Sequence, residues 1–416
     1  MAKTYDTYKD SGIAWIGEIP GEWRVDILSL HLYDHCLYNN NLKENNLLSL
    51  SYGRIIRKDI NTKEGLLPSS FNRYNIIDTG DIVLRLTDLQ NDKKSLRTGL
   101  CKERGIITSA YLTLRNRGND DSSFLHYLLH TYDLCKVFYG MGNGVRQGMN
   151  YSDVRKIKIP CPPLSVQQSI SSFLDTKCGE IDSLISIQEE MISELLAYKQ
   201  SVITEAVTKG LDKKAKMKNS GVEWIGDIPE EWEVCKLKRA YTLLNGRAYS
   251  DIELLENGKY RILRVGNLFT SDNWYYSDLE LENDKYCENG DLLYGWSASI
   301  GPYLWKQEKV IYHYHIWKVL FKPNDLKFSY YLLDAITQVK QKDMHGSAMQ
   351  HLTKSNMDNS YIPLPPLPVQ QAIATYLDEK TTQIDSLIAL KQSKIESLKE
   401  YKKSIIYEYV TGKKRI

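Results

Sequence analysis

The 416-residue sequence has no run of eighteen apolar residues, so it offers no segment suited to crossing a membrane as a helix. Its first residues, MAKTYDTYKDSG, contain no apolar stretch of the secretory kind, and a cytoplasmic protein is expected. The seven cysteines are odd in number, widely spaced and never arranged C-x-x-C, which argues against a disulfide framework and against a zinc site. No G-x-x-x-x-G-K-[ST], H-E-x-x-H or G-x-S-x-G occurs, so the common phosphate-loop, zinc-protease and serine-hydrolase chemistries lack their residues. Charge of one sign is missing too. With 54 Lys and Arg against 52 Asp and Glu the net charge is +2, so any surface suited to nucleic acid must be local.

What the sequence does have is repetition. SGIAWIGEIPGEW begins at Ser11 and SGVEWIGDIPEEW at Ser220. A second block, PPLSVQQSISSFLDTKCGEIDSLISIQ from Pro162, returns as PPLPVQQAIATYLDEKTTQIDSLIALK from Pro365. Smaller landmarks also recur: Gly80-Asp81 with Gly290-Asp291, FLHYLL with FSYYLL, and Val207-Thr208 with Val410-Thr411. The two halves therefore share a frame and differ inside it, the mark of a duplicated architecture.

The regions between the repeated blocks mix strand and helix signals. Residues 81–86, 106–114 and 310–321 are rich in β-branched and aromatic residues, while 124–138 and 328–339 read as helices. The blocks after each Pro-Pro-Leu show heptad spacing through Ile181, Leu184, Leu195, Tyr198 and Val202, and through Ile384, Leu387, Leu398, Tyr401 and Ile405. Ile185, Ile192, Ile388 and Ile395 widen the stripe, with Gln188 and Lys391 in equivalent core positions. Ser165 with Gln168 has capping-box spacing, and Gly179 is a candidate break in the first helix. Two such amphipathic helices are natural antiparallel partners. The expected fold is α/β (α+β), with two α/β domains separated by two long antiparallel helices in a coiled-coil spacer. The repeated Trp-Ile-Gly-x-Ile-Pro phrase is expected to anchor each module, although an exposed Trp patch for a partner would use the same residues.

The local charge is informative. Residues 51–117 hold thirteen Lys and Arg against seven Asp and Glu. Arg54, Arg57, Lys58, Arg73, Arg85, Lys93, Lys94 and Arg97 interleave there with Tyr52, Phe71 and Tyr74. In the second half Asn245, Arg247, Tyr249, Arg264 and Asn267 lie in a region that also carries Trp274, Tyr275, Tyr276 and Trp296. Basic side chains supply phosphate contacts, and Arg and Asn can read base edges. His313 and His315 have strand spacing and suit either a sheet face or a metal lacking its third ligand.

These residues carry a resemblance. The two SG-x-x-WIG-x-IP-x-EW phrases, IPCPPLSVQQ and IPLPPLPVQQ, both IDSLI segments and both Val-Thr endings resemble the specificity subunit of a Type I restriction–modification system, over essentially the whole chain. The resemblance implies a first target-recognition domain at residues 1–160 and a helical spacer at 161–210. A second recognition domain follows at 211–363 and a second spacer at 364–416. Each recognition domain would read one half of a split double-stranded DNA target, and the helices would bind two methyltransferase (modification) subunits, with restriction subunits joining in turn. The chain itself would catalyse nothing and hold no metal; S-adenosylmethionine, ATP and magnesium would belong to partner chains. By resemblance, the loops after Gly80-Asp81 and Gly290-Asp291 lie near the target. That adds Thr87, Gln90, Asn91, Trp296 and Ser297 as candidates, along with Arg146, Gln147 and, in the second copy, Gln350. No [ND]-P-P-[YF], the tetrapeptide expected of amino-methyltransferases, is present. A helical adaptor that binds no specific DNA sequence remains the alternative.

Overall fold

In the computed structural model, residues 4–61, 68, 70–89, 96–141, 148–321, 323–344 and 352–416 are described. The chain divides into two units, Met1–Glu189 with Gln392–Ile416, and Glu190–Lys391. The first unit is discontinuous in sequence, whereas the second is one continuous stretch. Each combines one α/β region with a portion of both long helices.

The first unit is built on a four-stranded antiparallel sheet in the order Leu32–Asp34, Leu112–Asn116, Ile82–Leu84, Thr98–Leu100. Helix α1, Ser122–Leu134, is capped by Asp121, whose carboxylate accepts from the Phe124 amide. The strand Arg24–Ile27 pairs with Lys158–Cys161, bringing the start of the region to its end. Helix α2 follows at Leu164–Lys209. The second unit repeats the sheet in the same order, as Tyr241–Asn245, Ile316–Phe321, Leu292–Ser297, Ser299–Leu304. Glu233–Lys236 pairs with Tyr361–Leu364 as the first unit's strands do. Helix α3 is Leu326–Met344 and helix α4 is Leu367–Val410. Inside this frame the units diverge. The first carries a hairpin of Leu48–Ser51 with Arg54–Arg57, whereas the second carries a further four-stranded sheet containing Tyr260–Leu263 and Tyr275–Ser277.

The runs expected as single strands at 106–114 and 310–321 are each two strands. In each unit the two strands join different sheets: Gly105–Ile107 and Leu112–Asn116 in the first unit, Val310–Tyr312 and Ile316–Phe321 in the second, so the chain must turn between them.

Helix α2 is continuous over 46 residues, correcting the break expected at Gly179, which faces open space. A single exposed helical glycine costs only about 1 kcal/mol, too little to interrupt a packed helix. Ser165 does not cap it; instead the Pro163 carbonyl accepts from the Val166 and Gln167 amides. The heptad spacing holds, but its partner row differs from the expectation. Leu184 and Leu387 are 46% and 48% exposed and Tyr198 and Tyr401 are exposed as well. The inward row of α2 is Ile181, Ile185, Gln188, Ile192, Leu195, Lys199 and Val202, alternating four- and three-residue steps, and α4 repeats it from Ile384 to Ile405. Within the first unit the helices run antiparallel, with Phe173 against Tyr409 at 4.6 Å and Lys402 bonded to Asp182 at 2.7 Å. Within the second unit Lys199 meets Asp385 at 2.7 Å, the repeat-equivalent ion pair.

The duplicated phrase docks the end of a long helix. Trp23 is fully buried in the first unit's core with Val410, and Trp232 is buried in the second unit's core with Val207. α4 ends before Gly412 and α2 before Gly210, both at φ +73, the left-handed conformation in which glycine closes a helix. A Cβ on Gly412 would press into Pro20 and Trp23; one on Gly210 would meet the Trp232 ring at 3.0 Å. The anchoring role is the one the structure supports. Trp15 packs edge-on to Tyr132 at 4.6 Å rather than standing free.

Candidate nucleic-acid interface

The second unit gathers its candidates around one close chain crossing. Gly246 lies against the carbonyls of Tyr312 and His313, and a Cβ there would come within 2.3 Å of the first. This approach lets the Arg247 amide bond to Tyr312 O at 3.1 Å and the Tyr314 amide to Arg247 O at 3.0 Å. The segment after Asn245 is thereby held beside the turn at residues 313–315. His313 and His315 thus sit in a tight turn rather than on a strand face, their rings 4.8 Å apart. Trp296 joins from the adjacent strand. Its indole donates to Tyr314 O at 2.8 Å, its ring stacks on Trp317 at 5.8 Å, and it meets His315 edge-on at 4.9 Å.

Around this aromatic cluster lie the cations. The Arg247 guanidinium stands over Tyr249 at 5.2 Å and bonds Glu253 at 2.6 Å, and that bond holds the Glu253 carboxyl down to about 2. Tyr249 stacks beside His313 at 6.3 Å. Arg264 is exposed and stands over Tyr275 at 5.3 Å. Burial pushes His313 down to about 4, with His315 and Arg264 adding repulsion, so at neutral pH it is an uncharged donor and acceptor. Exposed aromatic edges beside guanidinium groups can stack on bases and contact phosphates. Asn267 is not part of this surface in the same sense. Its side-chain oxygen accepts from the Arg264 amide and its nitrogen donates to Ser271 O and Asn273 O, so it builds the turn that presents Arg264. Asn245 is exposed, Ser297 is buried, and Gln350 lies outside the described residues.

Four of the first unit's arginines are paired with carboxylates within the fold. Arg54 bonds Asp182 at 2.7 Å, and Arg57 lies bidentate on Glu103. Arg104 bonds Asp78 and Glu44, and Arg115 bonds Asp78 and Asp81. Lys58 and Arg73 are exposed, and Arg85 is half-buried beside the exposed Thr87. Arg97 requires correction as a DNA-facing candidate, because it is 0% exposed. Its guanidinium donates to the carbonyls of Arg85, Thr87 and Asp88 and to the Tyr139 hydroxyl, so it braces the loop from within. Gln90, Asn91, Lys93, Lys94, Arg146 and Gln147 fall outside the described residues.

The repeated motifs prove to be struts placed beside these surfaces. Asp81 accepts from the Asp78 amide and pairs with Arg115, as Asp291 accepts from the Glu288 amide and pairs with Lys318. Tyr314 and the turn that brings the histidines to Trp296 were not legible as a site. A YHYH run carries no signal of a turn, and only the switch between sheets creates one.

The sequence profile described as "Type I restriction modification DNA specificity domain" matches residues 108–196 and 229–400, together more than half of the chain. The chain is 28% identical to the Type I restriction enzyme MjaVIII specificity subunit of Methanocaldococcus jannaschii over 83% of this chain and 81% of that one. It is 25% identical to the putative Type I restriction enzyme MjaX specificity subunit of the same organism, over 96% of each. Its fold is similar to that of a solved chain from work on complex assembly and conformational transition of the type I restriction–modification system. The TM-score is 0.71 and the identity 16%, covering 94% of this chain and 98% of that one. The chain therefore belongs to the Type I restriction–modification DNA specificity family.

Proposed function

We propose that each unit reads its own half of a divided double-stranded DNA target, and that the long helices dock modification subunits. DNA-sequence recognition comes with the family. The observation that carries the division of labour is the duplicated frame with unlike contents. Both units have the same strand order, the same strand pair closing each region and the same helix caps, yet one frame holds a basic hairpin and the other a Trp-His-Arg cluster. The outward apolar row supports docking: Leu184, Ile187 and Met191 on α2, and Leu387 and Leu390 on α4, are all exposed large apolar groups. In this reading the subunit is cytoplasmic and non-catalytic. S-adenosylmethionine, ATP and magnesium act on partner chains, and restriction subunits join the assembled complex.

Of the phosphate-contact candidates, exposed Arg264 is the clearest in the second unit, and Lys93 and Lys94 remain proposed for the first. Arg264→Ala should reduce the slope of log affinity against log salt by roughly one and leave the recognised sequence unchanged. Gel-shift titration across salt concentrations with the assembled methyltransferase measures it. An unchanged slope would remove Arg264 from the interface.

A further inference from the structure

We propose that Asp26, His31 and Cys161 form a buried zinc-binding site in the first unit. His31 Nε2 lies 3.3 Å from Asp26 Oδ2 and 3.2 Å from Cys161 Sγ, and the three donor atoms all fall within 4.8 Å of one another. A tetrahedral ion with bonds of about 2.0–2.3 Å separates its donors by roughly 3.3–3.6 Å, so two of the edges already stand within a few tenths of an ångström of that span. Imidazole, thiolate and carboxylate together suit a borderline divalent cation.

The surroundings fit a metal site beyond its donors. His31 Nδ1 bonds Asp120 Oδ2 at 2.7 Å, the carboxylate–histidine arrangement that orients a ligating imidazole. Asp120 is itself held by Gln167 Nε2 at 2.8 Å. His31 and Asp120 side chains are 7% and 6% exposed, whereas Asp26 is 23% exposed, so the site borders solvent on the Asp26 side. Arg24 stands 3.6 Å from Asp26. Two carboxylates and a thiolate then balance the charge of Arg24 and a divalent ion.

These donors are not a requirement of the frame. At the repeat-equivalent places in the second unit stand Cys235, Ala240 and Leu364, with Asn324 in place of Asp120, although Gln370 bonds Asn324 just as Gln167 bonds Asp120. The first unit alone has acquired the whole set. An ion there would tie the strand Arg24–Ile27 and the turn after it to the chain entering α2, more than a hundred residues away in sequence.

The test uses the full-length chain, reduced and stripped with chelator, titrated with Co2+ and then Zn2+. One equivalent of Co2+ should give a thiolate-to-cobalt charge-transfer band in the near ultraviolet, and Zn2+ should bleach it. Cys161→Ser should lose the band and Cys235→Ser should keep it. Absence of the band in the native chain, or its persistence in Cys161→Ser, overturns the proposal. So does a nuclear magnetic resonance spectrum in which both ring nitrogens of His31 keep their protons under excess Zn2+, which would make the cluster an imidazolium latched between two aspartates.

Discussion

Gln167 and Gln370 show how single side chains carry the repeat. Each accepts from an aspartate amide, Asp121 or Asp325, and donates to the carbonyl of Pro162 or Pro365. Each thereby locks the start of a long helix onto the capped end of α1 or α3, and both are 2% exposed. A buried amide with all its partners stabilises by about 1 kcal/mol per bond, and the cost of stranding those partners is larger. Arg97 works the same way on the loop after Ile82–Leu84. Arg97→Met should strand three carbonyls and lower the unfolding free energy by about 2–4 kcal/mol. Denaturant melts would show this, while the salt slope of DNA binding stays as in the parent; a reduced slope with unchanged stability would return Arg97 to the interface. His126 and His130 give a pH signature. Burial pushes them down to about 3 and about 4 from an ordinary value of 6.5. The unfolded chain therefore takes up their protons first. Their contribution to stability is complete above about pH 6.5 and is lost as pH falls, toward about 4 for His130 and about 3 for His126. His126→Leu should flatten the decline of melting temperature between neutral and acid pH, and an unaltered decline would remove His126 as a cause.

At the scale of elements, the inward rows of α2 and α4 make a direct prediction. Ile181 is 4% exposed and Leu184 46% exposed, although they lie three residues apart. Ile181→Asp buries an uncompensated charge and should cost several kcal/mol, or prevent folding. Leu184→Asp should leave the melting temperature unchanged and weaken assembly with the modification subunit. Equal effects of the two on stability would contradict the seam described for α2. The sequence shows why this row is hard to choose beforehand: Leu184, Ile185 and Ile187 are all apolar, so the heptad period is legible but its phase is not. Phase depends on which side meets another helix. The Pro-Pro-Leu boundaries, the Gly-Asp landmarks and the anchoring phrase could be read because their chemistry is local, whereas the cap of α2 fell to the Pro163 carbonyl rather than to Ser165. The split of residues 310–321 could not, since it follows from strands joining different sheets. Nor could the neutralisation of Arg54 by Asp182, which are 128 residues apart.

Across the whole molecule, the repeat makes two frames from one plan. Helix-end docking onto the Trp-Ile-Gly-x-Ile-Pro phrase is the same in both, through Trp23 with Gly412 and Trp232 with Gly210. The contents differ where the surface is exposed. The two buried cores share no residues, so under the proposed division of labour one unit's surface can change without disturbing the other's. The measurement that tests this most directly exchanges residues 24–160 for those of a relative with a different target. The chimera is expressed with its methyltransferase partner, and methylated positions are mapped genome-wide. One half of the methylated motif should change to that of the donor, and the other half should remain that of the parent. A motif in which both halves change together, or neither does, would contradict independent reading by the two units.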